Sequence, residues 1–583
     1  MATTYPLIVF RMRWMSAAAV SGALVLAVLV ALTAGAADDL SIASAGGGSA
    51  TADKVGSSLV SVAAERPGKR TQVVVRMARG ASTAHGRALV ARLGGKAISS
   101  DLAIINGFGA ELRAADARRL AADPDVEAVS LNGRLTPESV GATTSAVASD
   151  DDCSRADATT DPMNYPIVHD GDGSDVEDSL RRLEGSHIHS LDADAAWDHA
   201  TGVGVGVAVV DTGIAPELPD FRVQSDKRDS RVIASAVVNP CARESTDNYG
   251  HGTHVAGLIA GNSTMLKRKD RSYGKHMGVA PEANLISVKV ADEDGYTTVL
   301  DVINGLQFAV DYKAELGIRV VNLSLSSTVP ESYRTDPLDA AVEQAWLQGL
   351  VVVAAPGNDG AAPDAVSYAP GNDPYAITAG AVDDRGTRTV ADDVLAPWSS
   401  RGVTQDGFTK PEVLAPGRQL TATLARDSDL EDLCESCVVD KRYFRMGGTS
   451  MSTALVSGVA ALLLQEHPDW TPDQVKGALQ STLTDVPGVG GEVNAMSALR
   501  ATRLTSNVGL VPNELITPET GLIDYSRASF RRASFRDAGG SKLDSKWSRA
   551  SFRCDCPSGA DGADPSRASY RRASYRRTAS LSK

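Results

Sequence analysis

Six cysteines in 583 residues are too few to hold the chain together as a disulfide-built scaffold. Aromatic residues are only 5% of the chain, and the one long apolar run lies near the amino end, at about residues 15–32, which excludes a polytopic membrane protein. Basic residues are outnumbered, 58 Lys and Arg against 72 Asp and Glu, for a formal net charge of −14. A protein that coats nucleic acid along its length is therefore excluded, and no nucleic-acid partner is expected. What is plentiful is aliphatic: with 43% hydrophobic residues the chain is neither wholly disordered nor collagenous. At roughly 100 to 200 residues per domain it has room for about three to five units.

The amino end sets the compartment. Arg11 and Arg13 precede the apolar run, and Ala34-Gly35-Ala36 follows it, the small-x-small pattern of a cleavage site. Residues 1–36 are expected to be a signal peptide and the protein to be secreted or associated with the cell envelope. The alternative is an uncleaved anchor, since about 18 to 20 apolar residues also approach the length of a membrane span. Residues 37–70, rich in Gly, Ser and Ala, are expected to be a linker. In 71–135 strand-like segments at 72–75, 103–112 and 126–131 alternate with helical ones at 84–93 and 114–122, a compact α+β unit. Residues 136–188, with the acidic run Asp150-Asp151-Asp152, again suggest a linker.

From 189 to 503 the pattern changes. Continuous apolar runs at 205–210, 285–290, 320–325, 350–355 and 376–381 are separated by helical stretches such as 298–314 and 337–347. Runs without alternation indicate strands buried on both faces, hence an α/β fold with a parallel sheet flanked by helices. Ligands in such sheets gather at the carboxyl ends of the strands.

Three motifs there carry chemistry. Asp211 stands at the end of the run 205–210; His251 opens an apolar helix in Gly250-His251-Gly252-Thr253-His254; Ser450, in Gly447-Gly448-Thr449-Ser450-Met451, opens another. A Ser at a helix amino terminus sits in a positive field among free N–H donors, which suits a nucleophile whose reaction develops an oxyanion. Each residue alone has an ordinary structural explanation: a cap, a core His, a common tripeptide. Together, Asp, His and Ser on three element ends can converge as a catalytic triad.

In that order the motifs resemble the subtilisin-like serine proteases. The resemblance covers about 310 residues and includes Gly278-Val279-Ala280-Pro281, Trp398-Ser399-Ser400-Arg401-Gly402 and the segment Lys410-Pro411-Glu412-Val413-Leu414-Ala415-Pro416-Gly417. It implies Ser450 as nucleophile, His251 as general base and acid, Asp211 as the group that orients the imidazole, and Asn358 as an oxyanion donor beside the Ser450 N–H. It further implies that Ser324, Leu325 and Ser326 form a strand edge for the substrate backbone, with Ala355 and Gly357 on one wall of the main specificity pocket. His254 reads as structural. Asp220 matches a calcium ligand of many relatives, but the loop 262–276 carries Lys267, Arg268, Lys269 and Arg271, which disfavour a divalent cation. No cofactor is expected for the chemistry, and structural calcium is left open. Two departures from the family pattern are Ala454, where Pro is usual four residues after the nucleophile, and Pro356 beside the oxyanion turn.

The resemblance makes 71–135 an inhibitory propeptide, with the maturation site in the following linker; an unrelated accessory domain is the alternative. Cys434-Glu435-Ser436-Cys437 lacks the second pair of a zinc ribbon, and a disulfide from Cys241 to Cys434 or Cys437 is expected. Residues 504–583 are expected to be a disordered tail: from 526 onward Arg-Ala-Ser-Phe/Tyr repeats bring 14 basic against 5 acidic residues, a net of +9. The tail is either a surface anchor for an anionic envelope polymer or a solvated extension. The function expected is that of a secreted, self-processing serine endopeptidase acting on polypeptides. The rival is a catalytically silent binding protein that keeps the scaffold and uses the tail as its anchor.

Overall fold

The computed structural model describes residues 54–137, 185–223, 229–486, 488–502 and 505–513. The expected signal peptide, most of the 136–188 linker and the repeat tail lie outside the described residues. No described helix is long and apolar enough to cross a membrane.

The small unit is a four-stranded antiparallel sheet in the order β2-β3-β1-β4, built from β1 (Arg70–Met77), β2 (Lys96–Leu102), β3 (Gly107–Arg113) and β4 (Val126–Leu131). Helices Thr83–Arg92 and Ala117–Ala121 cover it, and its core holds Val73, Val75, Val90, Phe108, Leu120 and Val129. The stretch 37–70, expected as a linker, instead contributes helix Ser57–Glu65, because Val55 and Leu59, four residues apart, both reach the small core. Strand β2 escaped sequence reading, since Lys96, Ser99, Ser100 and Asp101 give it little apolar signal.

After β4 the chain forms β5 (Arg134–Pro137) and leaves the small sheet for the large body. There seven parallel strands run in the order β7-β8-β6-β10-β12-β13 and then Val413–Pro416, with β6 (Gly206–Asp211), β7 (Val232–Val237), β8 (Asn284–Lys289), β10 (Ile318–Leu323), β12 (Val351–Ala354) and β13 (Ile377–Asp383). Every residue of β6 and β12 is buried, as expected for unalternating Val and Ala runs. Two short strands, β9 (Thr297–Thr298) and β11 (Leu325–Ser327), lie off this sheet and flank β5 in a small sheet of order β11-β5-β9.

Helix Pro337–Leu347 has the bounds read from sequence, set by Asp336, whose carboxylate accepts from the N–H of Leu338 at 2.7 Å, and by Pro337 at the first turn. Helix Thr449–Glu466 runs through the core, buried from Thr449 to Leu464, and packs on the equally buried helix His251–Ala260. Gly458 lets the core close around it, since a Cβ there would fall 2.6 Å from Val279. Ala454 lies inside this helix without interrupting it.

Two boundaries move. Helix Ser186–Ser190 places the start of the large body before 189, and residues 505–513, expected as tail, pack against it. Asn513 is buried, its N–H donating to Glu343 at 2.7 Å and its side-chain amide to the Tyr333 carbonyl at 2.6 Å. Polar anchoring of this kind leaves no hydrophobic period to read. The expected pairing of Cys241 with Cys434 or Cys437 is corrected: Cys434 and Cys437 bond to each other, their Cα atoms 5.3 Å apart across a short turn, and the Cys241 disulfide is a separate one.

Candidate active site

Strand β6 lies where the sheet order reverses, β8 on one side and β10 on the other, the position at which open α/β sheets bind ligands. Asp211 ends that strand, buried, with Oδ1 accepting the Thr212 N–H at 2.7 Å and the His251 Nδ1–H at 2.7 Å. The carboxylate thereby fixes the ring and its tautomer, leaving Nε2 as the free, basic nitrogen. Among the described residues, neither His251 Nε2 nor Asp211 Oδ2 has a hydrogen-bond partner, though both are buried.

What holds the histidine is a cap that sequence reading missed. Asp247 accepts the N–H groups of Gly250 and Thr253 and both hydroxyls of Thr212 and Thr253, all at 2.7–2.8 Å. These bonds pin the amino end of helix His251–Ala260 to the turn after β6. Gly252 permits the approach: a Cβ there would lie 2.2 Å from the Gly213 carbonyl. Buried Lys289 braces the same turn through the carbonyls of Thr212 and Thr246. The available signal was an Asp four residues before the His, a capping residue preceding an apolar helix.

Ser450 is the second residue of helix Thr449–Glu466. Its hydroxyl donates to the Ser324 carbonyl at 3.1 Å, and Ser324 returns a bond from its own hydroxyl to the Ser450 carbonyl at 3.0 Å. Asn322, Ser324 and Ser457 continue this network, tying the end of β10 to the helix. Of the residues expected from the sequence, Asp211 and His251 are directly bonded, while the Ser450 hydroxyl rests on the Ser324 carbonyl. A serine–histidine bond that forms only when substrate is engaged is compatible with this resting arrangement.

Asn358 uses its carbonyl oxygen to accept the Thr449 N–H at 3.0 Å and the Thr449 hydroxyl at 3.2 Å. Its amide donors are therefore turned away from Thr449. Gly357 precedes it at φ +108°, a left-handed turn that suits glycine, and the bond from the Ala355 N–H to the Leu323 carbonyl seats this wall beside β10.

Along the edge of the site runs β5. Its antiparallel register matches Leu325 with Pro137, Ser326 with Thr136 and Ser327 with Leu135, while on its other side Leu135 faces Thr297 and Arg134 faces Thr298. A segment of the chain itself fills the groove as a middle strand, the geometry of peptide recognition by strand addition.

His254 is structural. It is fully buried, its Nε2 lies 3.0 Å from the Phe444 carbonyl, and burial pushes its pKa down to about 3, so it stays neutral. Asp220 does not fit calcium. The Tyr443 hydroxyl occupies its Oδ1 at 2.8 Å, and the buried Arg231 guanidinium donates to its backbone carbonyl at 2.7 Å. Calcium takes six to eight oxygens, and Asp220 Oδ1 is already held by the Tyr443 hydroxyl; among the described residues, three or more His, Cys, Asp or Glu side chains come within ligand range at His85, Asp123 and Asp125, in the small unit.

A model of the subtilase family matches residues 202–498. The serine protease AprX of Bacillus subtilis (strain 168) is 41% identical over 287 residues, 48% of this chain, which spans 61% of that relative's length. Subtilisin BL of Lederbergia lenta is 34% identical over 318 residues, 54% of this chain and 97% of the relative. Among solved structures, fervidolysin from Fervidobacterium pennivorans matches with a TM-score of 0.53 at 24% identity, over 75% of this chain and 62% of its own, a likeness of fold.

Proposed function

The chain belongs to the subtilase family, and from that membership we propose that it is a secreted serine endopeptidase, made as a proenzyme that cuts its own chain. The observation that carries the reading is the 2.7 Å bond between Asp211 and the His251 Nδ1–H, made at the amino end of a buried helix that Asp247 pins. In the reaction His251 Nε2 takes the Ser450 hydroxyl proton as Oγ attacks the substrate carbonyl. Asp211 stabilises the imidazolium that results. The Asn358 amide and the Ser450 N–H hold the oxyanion; the proton then passes to the leaving amine, and water releases the acyl group by the same steps. A fluorophosphonate should label Ser450 in the matured protein. Absence of labelling would favour the silent binding protein.

Asn358→Ala should lower kcat by about 100- to 1000-fold with KM nearly unchanged, the size of effect known for one oxyanion donor in subtilisin. Steady-state kinetics on a small peptide check it. A rise in KM with kcat intact would assign Asn358 to substrate binding instead.

The small unit, taken from about residue 54, is proposed as the inhibitory propeptide, because β5 continues from it into the groove beside Ser324. Its seat on the large body is apolar at Val74, Leu102, Ile104 and Ile105, which join the large core, and it also holds a polar cluster. Arg76 of β1 is buried, donating to the Thr335 carbonyl at 3.4 Å, and Ser130 of β4 donates to Glu331 at 3.2 Å. Burial, and then the neighbouring Asp336, push the Glu331 carboxyl up to about 8, against the Ser130 hydroxyl and Arg76. Released into solvent, Glu331 would return toward about 4.3. A group whose pKa is raised in the bound state favours that state fully below the free value and loses this contribution as pH rises through the bound one. The nicked small unit should therefore dissociate more readily from about pH 5 to pH 8, by up to about tenfold per pH unit. Native mass spectrometry of the nicked complex tests this; tighter association at pH 8 than at pH 6 would contradict it.

The cationic repeat beyond 526 lies outside the described residues, and its proposed role as an envelope anchor rests on charge alone.

A further inference from the structure

The loop between β8 and β9 is built around one carboxylate. Asp292 accepts the N–H groups of Tyr296 and Asp294 at 2.9 and 3.1 Å, and its own N–H donates to the Tyr296 carbonyl at 3.0 Å. Asn239 adds a second bond to that carbonyl at 3.0 Å. Gly295, at φ +79°, lies against the Tyr249 ring, where a Cβ would come within 2.9 Å. The backbone of Tyr296 is thus held on both sides, yet the residue is 42% exposed at the rim of the groove. A large ring held out toward solvent on so firmly tied a loop has no packing role that explains it.

The ring is met by Arg134 of β5, whose guanidinium carbon stands 5.3 Å from the ring centroid. Arg134 is fixed there by its backbone, paired with Thr298 on one side and accepting the Thr328 N–H at 3.1 Å on the other. Asp292, Glu293 and Asp294 precede the ring in the same loop, and Asp429, whose pKa is raised by burial and then by Asp294, lies near them. A cation over the face of an aromatic ring is attracted by the ring quadrupole, and the surrounding carboxylates add to that field.

We infer that Tyr296 forms a cation-binding subsite at the outer end of the substrate groove, which selects polypeptides carrying Arg or Lys at the position Arg134 holds in β5. The inference rests on the proposed reading of β5 as a bound substrate strand, and it adds a determinant remote from the pocket beside the reacting carbonyl. Leu135, buried next to Arg134, anchors the strand; Arg134 chooses which strands are favoured. Tyr296 touches substrate here but none of the reacting atoms.

The test uses the matured enzyme and peptides containing Xaa-Leu-Thr-Pro-Glu-Ser, with Xaa as Arg, Lys, norleucine or Glu. Arg and Lys should exceed norleucine by about two- to fivefold in kcat/KM, as one exposed cation–π contact allows. Tyr296→Phe keeps the ring and should keep this preference. Tyr296→Leu should bring the Arg-to-norleucine and Lys-to-norleucine ratios near one. A ratio of one in the unaltered enzyme, or one that survives Tyr296→Leu, overturns the subsite. A preference lost in Asp294→Asn but kept in Tyr296→Leu also overturns it, by assigning the selection to the acidic field. Failure to cut any of these peptides, in an enzyme that fluorophosphonate labels, overturns the reading of β5 itself.

Discussion

Early in its own maturation the protein should yield a large fragment that begins at Ser139. The Ser450 hydroxyl lies against the Ser324 carbonyl, and Ser324 immediately precedes the β11 residue that pairs with Pro137. Glu138 lies outside the described residues; a register continued by one residue would set it opposite Ser324 and present its carbonyl to Ser450, so the predicted cut is Glu138–Ser139. Ser450→Ala removes the nucleophilic oxygen with little change in volume and should accumulate as an uncut chain, a loss on the order of 10⁴-fold or more in processing rate. Expression in a host without other exported proteases, followed by intact-mass and amino-terminal sequencing at short times, reads both outcomes. An uncut Ser450→Ala chain with a first cut elsewhere in 138–188 would refute the register while preserving self-processing. A Ser450→Ala chain fully cut within that segment would refute self-processing.

The largest expected effect on stability falls on Glu412, away from the reacting groups. Two buried ammonium groups converge on its Oε1, Lys410 at 2.6 Å and Lys476 at 2.9 Å, while its Oε2 accepts the Thr378 N–H at 2.9 Å. Burial raises the Glu412 pKa, but Lys410 and Lys476 lower it further, so the carboxyl is held below the usual range. Glu412→Ala leaves two buried cations facing each other with only neutral acceptors, a situation that costs about 3–5 kcal/mol. Denaturant unfolding in a Ser450→Ala background, which prevents self-digestion, measures it; a loss under about 1 kcal/mol would show that water or rearrangement satisfies the lysines. The pH dependence has the opposite sign to that of Glu331. A carboxyl depressed in the folded state contributes stability above its unfolded pKa, near 4.3, and that contribution is lost as pH falls through the folded value.

Asp211, His251, Asn358 and Ser450 were legible because each sits in a short local motif at an element end, and the buried strands were legible as unbroken Val and Ala runs. The groups that position them were not. Asp247 acts through backbone N–H groups that only the folded turn brings within reach, and Lys289 reaches carbonyls 77 and 43 residues away. In sequence Lys289 looks like one more basic residue, and Asp247 carries only its place shortly before an apolar helix. Asp220 shows the reverse failure: its spacing from Asp211 matched a calcium ligand, yet its partners are a tyrosine hydroxyl and an arginine.

The class of fold and the elements that carry Asp211, His251, Asn358 and Ser450 could be read locally, because helix caps, buried-strand runs and glycine turns act over a few residues. Tertiary structure alone placed Arg134–Pro137 between β9 and β11, brought Ser130 to Glu331 from 201 residues away, and paired Cys434 with Cys437. Strand register and charge pairing depend on distances between segments far apart in the chain, and those distances are fixed when the sheet and its flanking helices close on one another.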